Sequence, residues 1–545
     1  MKAGTSIITL IVLALAVGAC LSPDDGLRSA EYGSRLGSVD MPMECSGDAN
    51  ELARTGLALL HHMTYEGARA VFADAREADP SCTMAYWGGA MTYIHPLWSD
   101  PPTEEAFAAG AELATAGLAL DGVSDVEQAY LSTVDAYYSV GRQNVESPNL
   151  IAFAEAWASV HERFPDDPEA ALFHAVTQIS IADPSDRSYE RQLHASEVAS
   201  GILERIPDHP GAHHYVIHAN DYPALADRAV SVARSYSEIA PAVPHALHMP
   251  AHIMTRLGYW PESVDLNTRS SEAALQHPSG DMVSPHYLHA ADYLVYARLQ
   301  QGDDAAAKAW VDTIAALEGP HVAHPASAYA FAAVPARYAL ERQQWTEAAS
   351  LKPRTPDDFL WEQYPAMDAI AYFAKGLGAA RSGDVETART AMTELGALRD
   401  RTADTAPYWS NQIEIQRLSV EAWVDYSDGR TEDALTKMRR AAEMESATDK
   451  HPVTPGEVLP ASELLGDMLL ELGEYDEARA AYDDALARSP NRFNSLFGAG
   501  RASELAADNA QAATYYERLI AMASGTSDRD RLHHAREALE SWTRS

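Results

Sequence analysis

Small and aromatic residues recur along the chain at spacings that are typical of paired helices. The segment LLGDMLLELGEYDEARAAYDDALARSP, residues 464–490, carries apolar residues at helical spacing in two consecutive blocks. A shift of about 34 residues takes Gly466 to Gly500 and Tyr482 to Tyr516. No stretch alternates between apolar and polar residues for long enough to predict a strand. The pattern predicts an all-α chain built from repeated antiparallel helix pairs.

The same spacing occurs near the other end of the chain, in TGLALLHHMTYEGARAVFADAREADP, residues 55–80. Ala68 falls where the two helices of a pair touch, Phe72 falls in the gap to the next pair, and Pro80 ends the second helix. Weaker copies occur at 258–264, 302–310, 383–391 and 429–441. This spacing resembles the tetratricopeptide repeat (TPR) family over most of residues 49–525. The resemblance implies a right-handed superhelical array, a TPR-like α-solenoid, in which stacking of units supplies the core.

The TPR resemblance also implies a division of the chain and a kind of ligand. TPR proteins bind protein or peptide ligands in a concave groove, which is lined by the second, fifth, ninth and twelfth places of each first helix. Pro-bearing breaks at 351–366 and 444–460 interrupt the array. The predicted parts are a signal peptide at 1–19, a lipidated linker at 20–48, an N-terminal TPR-like array with a His-rich groove at 49–350, degenerate units at 351–458, and C-terminal units with an end helix at 459–545.

The first twenty residues, MKAGTSIITLIVLALAVGAC, have a signal-peptide pattern. The apolar run 7–17 is short for a membrane span. The stretch VGAC resembles the lipobox of bacterial lipoproteins, which implies cleavage before Cys20, lipidation of Cys20 and attachment to the membrane through lipid alone. Leu21 follows the cysteine, which in that family favours the periplasmic side of the outer membrane. The alternative is a plain secreted protein that is cut near Ala19.

The net charge excludes one class of partner, and the cysteines bear on the compartment in which the protein folds. The chain has 41 Lys and Arg against 79 Asp and Glu, a net charge of −38, which argues against nucleic acid as a partner. Cys45 and Cys82 precede the first helices of two successive predicted units, so a disulfide between them is reasonable in an export compartment. The alternative is two unpaired thiols.

Histidines are concentrated in the middle of the chain, where twelve of the 21 fall between His174 and His289. The repeat register gives Pro210, Pro244 and Leu288 the first places of three successive units. Several polar residues then occupy groove places and point into one concavity. They are His214, His218, Asp221, His245, His248, His252, His289 and Asp292.

Two pairs in this set, His214/His218 and His248/His252, have the i, i+4 spacing that suits bidentate metal binding on a helix. The predicted ligands of a transition metal (Zn, Fe, Mn or Cu) are His214, His218, His248, His252, His289, Asp221 and Asp292, with the two carboxylates either binding metal or orienting histidines. The predicted groove or ligand-binding residues are His245, Arg256, Tyr215, Tyr287, Tyr293 and Trp87. Two other interpretations stay open, a polar peptide-binding groove and buried histidines that serve packing. Pro250 either kinks the histidine-bearing helix or begins it.

The predicted function is that of a lipid-anchored extracytoplasmic TPR binding protein with a His/Asp metal site in its central groove. The first alternative is a metal-dependent enzyme of hydrolase or oxidase type built in the groove, in which the metal activates water or oxygen. The second is a protein-interaction scaffold without metal. The sequence contains no GxSxG, HExxH or phosphate-cradling glycine motif that would favour another chemistry.

Overall fold

The protein is described by a computed structural model that covers residues 35–41, 45–98, 101–143 and 145–544. In these ranges the chain forms 25 α-helices and no strand. The first nine are α1 Ala49–His61, α2 Tyr65–Ala78, α3 Thr83–Met91, α4 Glu104–Leu118, α5 Asp125–Ser139, α6 Ser147–Arg163, α7 Pro168–Ser180, α8 Glu190–Arg205 and α9 Pro210–Asn220. The next eight are α10 Val230–Tyr236, α11 Pro244–Arg256, α12 Trp260–Ala274, α13 Pro285–Gln300, α14 Asp304–Ala315, α15 Pro325–Glu341, α16 Trp345–Ser350 and α17 Pro365–Ser382. The last eight are α18 Val385–Thr402, α19 Pro407–Ser427, α20 Thr431–Ser446, α21 Ala461–Leu472, α22 Tyr475–Arg488, α23 Phe493–Leu505, α24 Asn509–Met522 and α25 Asp530–Arg544.

Successive helices pack as antiparallel pairs, and each pair stacks on the next. Phe72 and Tyr482 show why the aromatic position of the repeat needs a small neighbour. A methyl group on Gly56 would lie 2.9 Å from the Phe72 ring, and one on Gly466 would lie 2.8 Å from the Tyr482 ring. The glycines therefore make room for the ring that fills the space between units. The predicted all-α array of stacked helix pairs is confirmed.

The helix ends follow from the local sequence. Helices α9, α11 and α13 each begin with a proline, which suits the first turn because no intrahelical bond is needed from its nitrogen. Gly473 ends α21 with φ of 83°, in the left-handed region that glycine adopts without steric cost. Pro250 lies inside α11, and the helix is continuous from Pro244 to Arg256. Helix α13 begins at Pro285, three residues before the first place that the repeat count gives to Leu288.

The array coils tightly enough for distant units to touch. Helix α9 packs against α1, and α13 packs against α23. Hydrogen bonds also join these distant units. The Trp260 indole donates to the Asn491 carbonyl at 2.8 Å, and the Ser524 amide donates to the Gln301 carbonyl at 2.8 Å. The inner faces of the first helices therefore surround a narrow central space.

Residues 447–460, which join α20 to α21, run through this central space, and we call them the crossing segment. Lys450 Nζ lies 3.1 Å from Asp221 Oδ2. The Tyr293 hydroxyl donates to the Thr454 carbonyl at 3.2 Å, and Arg337 donates to the Gly456 carbonyl at 2.7 Å. The central part of the predicted peptide groove is thus filled by the protein's own chain.

Cys45 and Cys82 form a disulfide, with their Cα atoms 4.9 Å apart. It joins the start of α1 to the start of α3. The predicted signal peptide and the predicted lipidation at Cys20 lie outside the described residues. None of the helices in the described part of the chain is long and apolar enough to cross a membrane.

Candidate metal centre

Six buried histidines form two groups of three in the central space. The first histidine triad is His214, His218 and His245, and the second histidine triad is His248, His252 and His289. In each triad, one ring nitrogen from each residue lies within 4.8 Å of the other two. Helices α9, α11 and α13 supply all six residues, and none is more than 7% exposed. The structure thus brings together the five predicted histidine ligands together with His245.

Two hydrogen bonds fix the tautomers in the second triad. His248 Nδ1 faces Asn267 Oδ1 at 2.6 Å. The Asn267 amide nitrogen donates to the Ser263 carbonyl at 2.8 Å, so its oxygen is the atom that faces the histidine. His252 Nδ1 faces Asp221 Oδ2 at 2.9 Å. Both Nδ1 atoms are therefore donors, and in the neutral rings both Nε2 atoms carry a lone pair.

These two Nε2 atoms face each other at 2.9 Å. Two lone pairs at this distance repel, unless a proton or a cation lies between or beside them. A metal ion bound to both nitrogens at about 2.0–2.1 Å holds them roughly 3.3 Å apart in a tetrahedral site. The ring of His289 lies 4.3 Å from that of His248, centre to centre, and supplies the third nitrogen. The second triad therefore groups three imidazole nitrogens that could hold a metal ion.

A proton is a poor substitute for the metal here because burial disfavours imidazolium. Burial, with help from the neighbouring His252, holds the pKa of His248 well below its usual value. Burial also lowers the pKa of His252, and nearby Lys450 and Arg256 act in the same direction, although Asp221 opposes them. The rings are thus held neutral, which is the form that binds metal.

The first triad has a similar arrangement on the neighbouring helix. His214 Nδ1 donates to the backbone carbonyl of His61 at 2.7 Å, so His214 Nε2 carries the lone pair. That atom lies 3.0 Å from His218 Nε2. The His245 ring lies 5.0 Å from the His214 ring, and both of its nitrogens are buried without a hydrogen-bond partner.

The two triads adjoin each other. The His218 and His252 rings, one from each triad, are 6.1 Å apart, and those of His245 and His248 are 6.2 Å apart. Within the second triad itself, the separation of His252 and His289 is 6.0 Å. A cavity of about 20 Å³ lies between them, which is room for about one water molecule. Its wall includes His218, His245, His252, His289, Met63, Met249, Leu97, Trp98, His451, Pro452 and Val453.

Asp221 holds its neighbours in place and has no oxygen left for a metal. Its Oδ1 accepts from Arg256 at 2.9 Å, while Oδ2 accepts from His252 and lies 3.1 Å from the Lys450 ammonium. Burial alone would raise the pKa of this carboxyl, but Lys450 and Arg256 hold it well below its usual range. Of the two roles that the sequence leaves open for Asp221, the geometry corresponds to orienting a histidine.

Asp292 lies farther along α13 and pairs with the buried Arg337 at 3.1 Å. Burial raises its pKa to about 6, although Arg337 opposes the shift. The Tyr293 hydroxyl lies 3.4 Å from the His252 ring and also donates to the crossing segment. The structure therefore places Asp292 in an ion pair and Tyr293 beside the second triad.

The other predicted groove residues differ in position. Tyr215 follows His214 of the first triad in the sequence, and its hydroxyl forms a hydrogen bond with His61 Nδ1 at 2.9 Å. Tyr287 packs against Trp310, with ring centres 5.8 Å apart. Trp87 is fully buried and packs edge-on against the rings of other aromatic residues, which are Tyr130, Trp157 and Phe173. Trp87 and Tyr287 are core residues because stacking of adjacent units covers them.

A third group, His61, Glu169 and His209, satisfies its own polar atoms. The Glu169 carboxylate lies 2.6 Å from His61 Nε2 and 3.1 Å from His209 Nε2, and it accepts the Asp40 amide at 2.9 Å. Burial would raise the pKa of Glu169, but the two histidines hold it well below its usual range. This group fixes His61, whose carbonyl in turn orients His214.

Sequence reasoning missed Asn267, Lys450 and Trp98 as residues of this site. Asn267 belongs to α12, a second helix, which faces away from the groove in the repeat register. Lys450 belongs to the crossing segment, where the only signal was the Pro-bearing break. Trp98 packs against His245 at 5.3 Å and His289 at 5.7 Å, and no motif marks it.

The profile of the tetratricopeptide repeat family matches residues 420–491 and 463–527. Residues 420–527 are therefore similar to tetratricopeptide repeats. The TPR units of the profile match include α21 to α24, where the sequence pattern is also strongest. No curated protein matches the chain in sequence.

Several solved structures are similar to this chain at low identity and low TM-score. The TPR domain of P58(IPK) has 12% identity, covering 92% of this chain and 100% of that one, with a TM-score of 0.21. The human IFIT1 dimer with PPP-AAAA has 13% identity, covering 89% and 96%, with a TM-score of 0.37. Yeast Tom70 has 11% identity, covering 91% and 96%, with a TM-score of 0.34.

Proposed function

We propose that this TPR protein binds a transition-metal ion at His248, His252 and His289, in the centre of its helical array. The observation that carries the proposal is the pair of Nε2 atoms that face each other at 2.9 Å. Their Nδ1 atoms are committed to Asn267 and Asp221, so both Nε2 atoms present lone pairs. A cation between them converts a repulsive contact into two coordinate bonds.

The protein atoms around this site leave the ion a free position. Three neutral imidazoles would supply three of the four ligands of a tetrahedral ion, and the small cavity that His252, His289 and Trp98 line has room for about one further small ligand. An ion with one open position binds and polarises a small molecule, as catalytic metal sites do. This geometry favours the metal-dependent interpretation over a scaffold whose histidines serve packing alone.

Metal analysis of the purified protein tests the proposal. The full chain, without a histidine tag and purified without chelators, is expected to carry metal in stoichiometric amount by elemental mass spectrometry. The variant His248→Ala/His252→Ala is expected to lose the metal of the second triad. A matched control is His533→Ala/His534→Ala, which removes two histidines from α25 and should leave the metal content unchanged. Wild-type protein that contains and takes up no metal would sink the proposal.

The same proposal places the protein outside the cytoplasm, attached through lipid at Cys20. The disulfide between Cys45 and Cys82 supports this location, because disulfides persist in oxidising compartments. Globomycin-type inhibition of lipoprotein processing should leave a larger precursor, and Cys20→Ala should release the protein from the membrane fraction. Unchanged membrane association of Cys20→Ala would contradict lipid anchoring.

Peptide recognition is a second candidate function, favoured by an open cleft of about 810 Å³ beside the crossing segment. Aromatic and basic residues line it, among them Tyr93, Trp409, Arg69 and Arg401. Since the crossing segment fills the centre of the groove, this cleft is where a peptide partner would bind. Binding to a peptide array, measured for the wild type and for Trp409→Ala, tests the idea. Equal binding by the two proteins would place the peptide elsewhere.

A further inference from the structure

His245 lies in the first triad without any hydrogen bond to its ring. Both ring nitrogens are buried and unpartnered, although the side chain is only 2% exposed. A buried polar atom without a partner costs roughly 1–3 kcal/mol, so native proteins rarely keep one without a use. One His245 nitrogen lies within 4.8 Å of nitrogens from both His214 and His218. The three residues are thus close enough together to be ligands of one ion.

We infer that the first histidine triad holds a second metal ion, and that the two ions form a copper pair bound as Cu(I). The inference rests on the proposed function, because it adds a second ion to the site proposed for the second triad. His214 is already oriented as a ligand, since its Nδ1 donates to the His61 carbonyl at 2.7 Å. The carbonyl plays the role of the outer hydrogen-bond acceptor that metal-bound histidines commonly have.

The distances between the triads make the two ions neighbours. The His218 and His252 rings lie 6.1 Å apart, which matches the 6.0 Å between His252 and His289 inside one triad. The cavity of about 20 Å³ lies between the two sets of nitrogens and has room for about one water-sized ligand. Such a ligand would contact both ions at once, as in other two-metal sites.

Charge selects the kind of ion. All six ligands are neutral imidazoles, and among the described residues no carboxylate belongs to either group of three. Asp221 is paired with Arg256 and Lys450, so this neighbouring group carries a net charge of +1 at neutral pH when both cations are charged. Burial of an uncompensated charge is costly, and the cost rises with the size of the charge. Two singly charged ions are therefore easier to hold here than two doubly charged ones.

Two methionine side chains near the triads also favour Cu(I). Met63 and Met249 both line the cavity between the triads. Soft thioether ligands favour Cu(I), while imidazole also suits copper, and the oxygen ligands that hold magnesium, calcium and manganese are missing from both triads. A soft, singly charged ion that accepts imidazole is Cu(I).

The pair would also have a route to the outside. Trp98, His451 and Val453 line both the small cavity and the open cleft of about 810 Å³. Trp98 packs against His245 and His289, one residue from each triad, at 5.3 and 5.7 Å. Trp98 therefore lies where the small cavity and the cleft adjoin.

Stoichiometry separates one ion from two. The metal-free full chain is titrated anaerobically with Cu(I) against a chromogenic Cu(I) chelator, and in parallel with Zn(II). We expect two equivalents of Cu(I) for the wild type and one equivalent each for His245→Ala and His252→Ala. A matched control is His213→Ala, on the same helix as His214, whose ring bonds the His209 carbonyl and Ser235 instead of a triad. It should keep two equivalents.

The outcomes distinguish the inference from the proposed function. If wild type and His245→Ala both bind one equivalent, the second ion is excluded and the single-ion proposal stands. If the wild type binds no metal, both fail. Two equivalents of Zn(II), held more tightly than Cu(I), would overturn the assignment to copper. His245→Gln and circular dichroism guard against a folding defect, and anomalous diffraction at the copper edge should show one peak inside each triad.

Discussion

The histidine triads and the cluster around Arg492 are both buried on the inner side of the same helical array. Arg492 donates to Glu463 at 2.9 Å, to Glu341 at 2.8 Å and to the Tyr296 hydroxyl at 3.1 Å. Every charged atom there meets a complementary one, because cation and carboxylates come from different units. In the triads, by contrast, nitrogen faces nitrogen.

This difference shows that burial of polar groups does not by itself mark a functional site. The Arg492 cluster joins α15, α21 and the start of α23, so its polar atoms hold distant units together. The second triad does the opposite, since two acceptor nitrogens, those of His248 and His252, face each other in a place where water has little room. Two buried acceptors that face each other without a donor are what distinguishes the second triad from the Arg492 cluster.

Arg492→Met should have the largest effect on stability. Removal of the guanidinium leaves Glu341 and Glu463 buried without their main partner, and loss of one member of a buried ion pair costs about 3–5 kcal/mol. Urea denaturation should show this loss in the free energy of unfolding. A loss below about 1 kcal/mol would mean that the cluster does not hold the units together.

The free energy of unfolding should fall at acid pH because His451 is held neutral in the folded protein. Burial, with the neighbouring Lys450, lowers its pKa from 6.5 to about 4. Between pH 6.5 and about 4 the unfolded chain takes up a proton that the folded chain does not, so stability falls as the pH drops. The total is about 3 kcal/mol for this residue. Between pH 6.5 and about 4, the free energy of unfolding of His451→Gln should fall less than that of the wild type. If the two free energies fall in parallel with pH, His451 is not the residue responsible.

Metal should stabilise the protein through the triads alone. An ion at a free concentration of 100 times its dissociation constant adds about 2.7 kcal/mol per site. The thermal midpoint of the wild type and of Arg492→Met should therefore rise on addition of copper. The midpoint of His248→Ala/His252→Ala should rise less. Equal shifts in all three proteins would place the stabilising ion outside the triads.

His245→Leu should have the smallest effect on the metal-free protein. The substitution removes two unpartnered nitrogens and puts an apolar side chain of similar bulk in their place, so the free energy of unfolding should fall by less than about 1 kcal/mol or rise. The losses of unfolding free energy in His245→Leu and in Arg492→Met together test whether the triads and the Arg492 cluster differ in their role in stability. A loss as large as that of Arg492→Met would mean that His245 is satisfied by contacts within the protein.

Much of the fold is readable from the sequence because it depends on local spacing. Pro210 and Pro244 begin helices as the repeat count predicts, and Phe72 and Tyr482 fill the spaces between units. The third unit differs, because α13 begins at Pro285, three residues before the first place that the repeat count gives to Leu288. Register is reliable where the period is strict and weak next to insertions.

The candidate site is only partly readable in this way. The histidines of α9 and α11 share one face because of their spacing, and the groove register brings His289 near them. The division into two triads depends on ring orientations that Asn267 and Asp221 impose. The Lys450 contact depends on a segment that is remote in sequence, which no local pattern connects to α9.

The crossing segment has a consequence for biosynthesis. Lys450 is separated from its partner Asp221 by 229 positions, so a chain emerging from the N-terminus presents all six triad histidines long before the segment that covers them exists. The wall of the centre is completed only when the last third of the protein is made and folded back. A truncated product that ends before the crossing segment would therefore leave the six imidazoles without this cover.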